Sequence, residues 1–336
     1  MKKKRIGVNG LGRIGRCFVR MALAESNVEV VVVNDIASLE ETAYLLKYDS
    51  VYGVLAEDVT QKGEALSIGG HAIAAHREKT PGDVPWGDYG VDAVLDATGV
   101  FHNSREALEG CLEAGAQRVL VSAPAKAADL TVVYGVNHKE ISKKHRIVSN
   151  ASCTTNCLAP VLKVLDETWG VESALMTTVH CYTSGQALVD APRGKMRRNR
   201  AAALSLVPTT TGAGKAIGLV MPSMKGKIDA IAVRVPTATV SLIDLVALVA
   251  KPPKDAETLV SALEKATREK LRGILAVERA ELVSVDFKGS TYSSIVDAPM
   301  CGTCGPQVKV LAWYDNEWGY VARLMDVMRY WTGAGD

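Results

Sequence analysis

Nowhere in the 336 residues does an uninterrupted apolar run approach the ~20 residues that a membrane-spanning helix needs. Charge of one sign is lacking too: 39 Lys plus Arg stand against 37 Asp plus Glu, a formal net charge of +2. That balance gives no electrostatic reason to expect nucleic acid or a membrane surface as the main partner. Cysteine is sparse, seven residues at 17, 111, 153, 157, 181, 301 and 304, an odd count without the regular spacing of a disulfide framework. A reduced, cytoplasmic protein is the simplest expectation. No second pair or histidine cluster completes a zinc site with Cys301-Gly-Thr-Cys304, so no metal is expected, and an incidental loop pair is favoured over a redox one. The basic start Met1-Lys-Lys-Lys-Arg5 resembles the front of an export signal. The residues after it, with Arg13 and Arg16, are too polar for the apolar stretch such a signal requires, so no export is expected. Asn150-Ala-Ser152 fits a glycosylation pattern that then carries no meaning. Low-complexity segments and internal repeats are absent. What is present, 48% hydrophobic and 23% charged residues, excludes disorder. At about 150 residues per domain the length predicts two domains.

The first half alternates short β-branched runs with helical patterns. Arg5 to Val8 leads into a glycine turn, and residues 13 to 24 place Ile14, Cys17, Phe18, Met21 and Ala22 at helical spacing. Val28 to Val33 is the continuous apolar run of a strand buried on both faces. Further strands are expected at 93–95, 118–121, 131–133 and 147–148, with a helix at 104–114. Such alternation predicts an α/β fold, a Rossmann-type doubly wound parallel sheet. After about residue 150 the pattern changes. A helix at 154–167 precedes a strand at 174–180. Strands at 227–235 and 240–249 are separated only by Pro236-Thr-Ala-Thr239, which predicts an antiparallel pair in a second, α+β domain with an antiparallel or mixed sheet. Helices are expected at 255–270 and 317–330.

Gly10-Leu-Gly12-Arg-Ile-Gly15 follows a strand and opens a helix. The first glycine permits the tight turn, the second lets a pyrophosphate approach the backbone, and the third packs helix on strand. The helix start adds free N–H groups for the phosphates. Asp35 ends the next strand, where a carboxylate accepts hydrogen bonds from ribose hydroxyls and would oppose a 2′-phosphate. The expected cofactor is therefore NAD ahead of NADP.

Ser149-Asn-Ala-Ser-Cys153-Thr-Thr-Asn-Cys157 is the most informative stretch. Cys153 falls in the first turn of a helix, whose unpaired N–H groups are expected to lower the thiol pKa and raise its thiolate fraction. Cys157, one turn on, is expected to serve packing. A nucleophile needs a base. His71, His76, His102, His138 and His145 lie in loop-like polar contexts, whereas His180 ends a strand, where side chains are presented to a cleft.

Asn9 to Arg16, Ser149 to Cys157, Thr177-Thr-Val-His180, Arg200 to Ala203, Thr211-Gly212, Arg234-Val-Pro-Thr237 and Trp313-Tyr-Asp-Asn-Glu-Trp-Gly319 occur in one order. Over nearly its whole length the chain resembles the phosphorylating glyceraldehyde-3-phosphate dehydrogenases of the NAD-dependent, bacterial type. The resemblance implies an NAD-binding domain over 1–151, with the C-terminal helix 317–336 packing back on it, and a catalytic domain over 152–316. It implies that Cys153 attacks the aldehyde while His180 takes the thiol proton, and that phosphate then cleaves a thioester to an acyl phosphate. Thr183 and Arg234 are implied to hold the phosphate of the substrate, glyceraldehyde 3-phosphate. Ser152, Thr154, Thr211, Gly212 and Arg198 are implied to serve the attacking inorganic phosphate. Arg13, Ile14, Asp35, Lys79, Thr98, Gly99, Ser122 and Asn316 are implied to join Gly10, Gly12 and Gly15 in binding NAD, with Asn316 orienting the nicotinamide amide. Residues 193 to 200 hold five basic residues in eight. The resemblance makes them a loop near a neighbouring subunit's cofactor, hence a homotetramer.

Two departures from the family pattern stand out. Gly185 removes a polar side chain near the substrate phosphate. Ala191-Pro192 replaces a Leu-Pro pair that crowds the adenosine ribose, so some NADP use is expected. Erythrose-4-phosphate dehydrogenase is the nearest alternative, and a non-catalytic nucleic-acid-binding protein using the basic loop the alternative of another class. That loop lacks aromatic stacking partners.

Overall fold

A computed structural model describes residues 3–192 and 194–333. Part of the basic start, Arg193 of the basic loop and the end of the 317–336 segment therefore lie outside the described residues. The chain divides into two units, Met1–Val132 with His138–Ala151 and Val321–Asp336, and Val133–Asn137 with Ser152–Tyr320.

In the first unit, β1 (Lys4–Asn9), α1 (Arg13–Ala22), β2 (Val28–Asn34) and α2 (Leu39–Lys47) come first. A two-stranded ribbon, β3 (Tyr48–Asp49) and β4 (Gly53–Val54), follows, and then β5 (Val59–Lys62), β6 (Ala65–Ile68) and β7 (His71–His76). The unit is completed by β8 (Ala93–Asp96), α3 (Arg105–Glu113), β9 (Val119–Val121), β10 (Leu130–Thr131) and β11 (Ile147–Ser149). Its nine-stranded sheet runs β10-β11-β9-β8-β1-β2-β7-β6-β5. Every pair from β10 to β7 is parallel, while β7, β6 and β5 form an antiparallel meander. Register sets Asn9 beside both Asn34 and Asp96, and Asp96 beside Val121. The glycine turn and the residues after β2, β8 and β9 therefore share one carboxyl edge, the edge where such sheets bind ligands.

The expected strands and helices occur with their ends shifted, and the strand expected at 131–133 is only Leu130–Thr131. Neither the β5–β7 meander nor α2 was expected. The meander strands are four to six residues long and largely exposed at β5, too short and polar for a periodicity signal. For α2 a signal was present: Ser38 Oγ accepts from Glu41 N–H while the Glu41 carboxylate accepts from Ser38 N–H, a capping box.

The second unit contains α4 (Cys153–Trp169), β12 (Val171–Cys181), β13 (Val207–Thr210), α5 (Ala213–Val220), β14 (Ile228–Val235) and β15 (Ser241–Val249). These precede α6 (Ala256–Arg268), β16 (Leu275–Glu278), β17 (Ser294–Asp297), β18 (Gly302–Cys304), β19 (Gln307–Tyr314) and the start of α7 (Trp318–Thr332). Its sheet runs β13-β14-β12-β15-β19-β17-β16. The expected pairing of 227–235 with 240–249 is not formed. β12 lies between them, parallel to β14 and antiparallel to β15. The link from Val235 to Ser241 has only to cross about 10 Å, two strand spacings, which five residues span with ease. Val240 takes φ 63 in that link, an unusual conformation for a β-branched residue. The sheet is accordingly mixed. Among the described residues no helix is long and apolar enough to cross a membrane, and no group of ligating side chains suited to a metal is found.

Candidate active site

In the first unit, Gly10 has φ 91, and a Cβ there would sit 2.7 Å from Thr98 N. A Cβ on Gly15 would fall 2.0 Å from Gly10 O, whereas one on Gly12 meets nothing within 4 Å. The motif thus divides its labour: two glycines serve the fold, and Gly12 leaves open space at the start of α1. That start has neither a side-chain cap nor an acidic residue in its first turn, so its positive end faces no competing carboxylate there. Asp35 accepts from Leu11 N–H at 2.5 Å and from Ala37 N–H at 2.8 Å, which fixes its carboxylate beside the turn. Next to it opens a cavity of about 570 Å³ lined by Leu11, Val33, Asp35, Ser38 and Arg77 among others. These features fit a dinucleotide.

Other expected contacts differ in kind. The Arg13 guanidinium pairs with Asp49 at 2.6 Å and lies over the Tyr52 ring, so its side chain is engaged elsewhere. Ile14 is half-buried, and Lys79 and Gly99 are exposed. Thr98 Oγ1 donates to Asp96 Oδ1 at 2.9 Å, and Ser122 N–H donates to Asp96 O. Sequence reasoning missed Asp96 itself. Burial pushes its carboxyl up, against hydrogen bonds from Thr98 and from Asn9 Nδ2. Asn34 Nδ2 in turn donates to Asn9 Oδ1 at 2.8 Å, so a buried polar chain ties the ends of β1, β2 and β8 together. Its signal was the polar residue closing each of three apolar runs.

In the second unit, Ser152 caps α4: its Oγ accepts from Thr155 N–H at 3.1 Å, and Cys153 is the first helical residue. Ala151, just before the cap, takes φ 54. The Cys153 Sγ stands 3.5 Å from His180 Nε2. His180 reaches it from the end of β12, and the parallel register with β14 sets Arg234 beside it. Its Nδ1 lies 2.8 Å from Cys181 O and 2.5 Å from Arg234 Nη1, which also donates to Cys181 O at 3.0 Å. The Nε of Arg234 is buried without a partner among the described residues, a cationic donor left for an anion.

The expectation of a thiol activated by the helix start is reversed. Burial pushes the Cys153 thiol up, outweighing the Arg234 charge and the hydrogen bonds from Thr154. Burial and the same arginine push His180 down to about 3. Free protein at neutral pH therefore holds a neutral thiol against a neutral imidazole. Cys157 is fully buried beside Ser294 Oγ at 3.5 Å, in keeping with a packing role.

Around this pair, Thr183 is exposed and its N–H donates to Gln186 Oε1. Arg198 donates to Thr209 Oγ1 at 2.9 Å and to Thr210 O at 3.2 Å, adjoining Thr211 and Gly212 at the start of α5, where Thr211 Oγ1 accepts from Ala213 N–H at 3.2 Å. Thr154 departs from expectation. Its hydroxyl is turned into the core at 3.0 Å from Tyr314 OH, so the side chain is not presented to a phosphate. Tyr314 OH also contacts Thr178 Oγ1 at 2.9 Å, and its ring meets His180 edge to face. This tyrosine, Cys181 and Ser241 are positioning candidates that sequence reasoning missed. Within the basic loop Arg200 is paired with Asp190 at 2.7 Å.

A Rossmann sheet with an open glycine cradle, and a second unit that aims a cysteine at a histidine, define the class of nicotinamide-dependent aldehyde oxidoreductases. Residues 4–104 match the family model for the NAD-binding domain of glyceraldehyde 3-phosphate dehydrogenase, and residues 152–316 match that for its C-terminal domain. The chain is 47% identical over 333 residues to glyceraldehyde-3-phosphate dehydrogenase of Geobacillus stearothermophilus, covering 98% of this chain and 99% of that one. It is 48% identical over 331 residues to the Mycobacterium avium enzyme, with 96% and 97% covered. To glyceraldehyde-3-phosphate dehydrogenase 1 of Streptomyces arenae it is 46% identical over 325 residues, also with 96% and 97% covered. The chain belongs to the glyceraldehyde-3-phosphate dehydrogenase family, and NAD is its cofactor.

Proposed function

We propose that this protein oxidises D-glyceraldehyde 3-phosphate with NAD and inorganic phosphate to 1,3-bisphosphoglycerate, through a covalent intermediate on Cys153. The observation that carries this reading is the 3.5 Å approach of Cys153 Sγ to His180 Nε2, with Arg234 against the same ring. Sγ adds to the aldehyde carbon as its proton passes to Nε2 and from there to the carbonyl oxygen, giving a hemithioacetal hydroxyl and leaving the imidazole neutral. Bound NAD supplies the acceptor for the hydride that leaves this carbon. His180 takes the hydroxyl proton as the thioester forms. Phosphate oxygen then adds to the acyl carbon, the C–S bond breaks to release the acyl phosphate, and the proton on Nε2 returns to the departing sulfur.

The base role requires a free lone pair on Nε2, hence a proton on Nδ1 that donates to Cys181 O. Arg234 Nη1 competes for Nδ1 in the free protein. A substrate phosphate that draws the guanidinium toward itself favours the working tautomer and removes a charge that depresses His180. We assign Thr183 and Arg234 to the substrate's phosphate, and Ser152, Thr211, Gly212 and Arg198 to the attacking one. Gly10, Gly12, Gly15, Asp35, Thr98, Gly99, Ser122 and the backbone of Arg13 and Ile14 are assigned to NAD, with Lys79 at the periphery and Asn316 at the nicotinamide amide.

Steady-state assays with glyceraldehyde 3-phosphate and erythrose 4-phosphate, each with and without inorganic phosphate, test the reading. A strict phosphate requirement and preference for the triose support it. A rate indifferent to phosphate, or preference for the tetrose, overturns it. Running the same assay with NADP tests the cofactor preference that Asp35 sets, and equal efficiency with NADP sinks it. A homotetramer, four times 35.8 kDa, fits the exposed apolar side chains Leu188, Met196, Leu204 and Leu206. A sedimenting monomer rules that out. Seven free cysteines fit a reduced cytoplasmic setting.

A further inference from the structure

Cys181 follows the proposed base in sequence, and its carbonyl holds His180 Nδ1, yet its thiol has no part in the steps above. Its side chain is fully buried, and its Sγ lies 3.1 Å from Asn316 Oδ1. Ser241 Oγ lies 3.4 Å from the same oxygen. That hydroxyl accepts from Cys181 N–H at 3.1 Å, so its own hydrogen is free to point at Asn316. Two donors, a thiol and a hydroxyl, thus converge on one end of the Asn316 amide. An NH2 group there would lose the thiol donor and meet only a weak sulfur acceptor and the one remaining lone pair of Ser241 Oγ, so the oxygen is favoured at that end. Burial pushes the Cys181 thiol up to about 12, which keeps its hydrogen in place at any working pH. Asn316 is 6% exposed, and among the described residues no group accepts from its Nδ2. Asn316 Nδ2 is not one of the buried polar atoms without a partner, so with its oxygen pinned the amide presents its NH2 toward solvent, where a ligand's acceptor can take it up.

We infer that Cys181 is a positioning residue: with Ser241 it holds the Asn316 carboxamide in the one orientation that offers its NH2 to the carboxamide oxygen of the nicotinamide. The inference rests on the assignment of Asn316 to the nicotinamide amide. Cys181 does not touch the cofactor. It acts by removing the flipped amide, which presents an oxygen where a donor is needed.

Equilibrium binding of two ligands tests this without turnover: NAD, and the analogue whose pyridine ring lacks the carboxamide. Asn316→Ala is expected to weaken NAD about tenfold and to leave the analogue within about twofold. Cys181→Ala and the volume-retaining Cys181→Val are expected to weaken NAD about three- to tenfold, again without moving the analogue. Cys181→Ser, which keeps a donor, restores NAD binding to within about twofold. A general packing defect would lower both ligands alike and would not be rescued by serine. If Asn316→Ala discriminates between the ligands and the Cys181 variants do not, Cys181 has no positioning role. If Asn316→Ala treats both ligands alike, the assignment of Asn316 is wrong and the inference falls with it.

Discussion

Two helix starts in this chain share one electrostatic device and put it to opposite use. At α1 the helix begins at an exposed glycine, Gly12, with no side-chain cap and with open space where a Cβ would stand. At α4 Ser152 takes up one terminal N–H group, and the half-buried Cys153 stands between buried Thr154 and buried His180. A helix terminus is worth about 0.3–1 kcal/mol to an exposed anion, and up to about 2 when partly buried. Withdrawing water from a thiolate costs more than that. The α1 start therefore offers its positive end in the open, as the cofactor-binding role proposed for it requires, whereas desolvation at α4 leaves Cys153 neutral until a base takes its proton. Position at a helix start does not by itself make a reactive cysteine.

The contrast breaks most completely by removing the sulfur. Cys153→Ala should lower aldehyde oxidation by about 10⁴-fold or more, the loss expected for a nucleophile, while NAD binding measured by titration stays unchanged. Retained turnover would mean that the α4 start is not the reacting centre.

Next in size is the partner that has to supply what the helix start does not. His180→Asn should reduce kcat/KM by about 10²–10⁴-fold, and should slow alkylation of Cys153 at neutral pH. The same variant has a stability signature. In the folded chain His180 gains its proton only near pH 3, against 6.5 for the free side chain. Between those values the unfolded chain binds the extra proton, so stability is lost as pH falls from 6.5 toward 3. By pH 4 the loss from this one ring amounts to about 3 kcal/mol. Chemical denaturation of parent and variant at pH 7 and pH 4 should show the variant losing less by about that amount. An identical loss in both would place the ring in solvent.

These sites were unequally legible in the sequence. Gly10 to Gly15 could be read because strand, turn and helix all lie within some twenty residues, and the glycine requirement is local. Cys153 could be placed at a helix start for the same reason, from Ser152 and the apolar run after it. Its protonation state could not, because burial is contributed by side chains distant in sequence. His180 was found through the strand it ends, but Arg234 reaches it only through the parallel register of β12 with β14. The short turn at 236–239 suggested a hairpin that would have put Arg234 elsewhere. Cys181 and Asn316 lie 135 residues apart, and no local pattern relates them. Local chemistry was readable, and whatever depended on strand order was not.

The open start offers a sharper and smaller effect. Gly12 has φ −64, which any residue adopts, and a Cβ there meets no protein atom within 4 Å. Gly12→Ala should therefore leave the denaturation midpoint nearly unchanged, yet weaken NAD about tenfold by holding the pyrophosphate off the backbone. A variant that binds NAD normally would remove the glycine turn from the cofactor site.

The smallest expected effect separates the two starts by their caps. Ser152 Oγ accepts from Thr155 N–H, so Ser152→Ala strands a helix donor and should cost about 1 kcal/mol of stability. Ser152→Gly should cost only a few tenths, because water then reaches the freed N–H group. At Gly12 there is no cap to lose, and alanine should cost almost nothing by the same denaturation measurement. The ordering itself is the test. If Ser152→Ala and Gly12→Ala prove equally mild, the α4 terminus is as open to water as that of α1. The burial that keeps Cys153 protonated would then have to be sought on the His180 side of the sulfur alone.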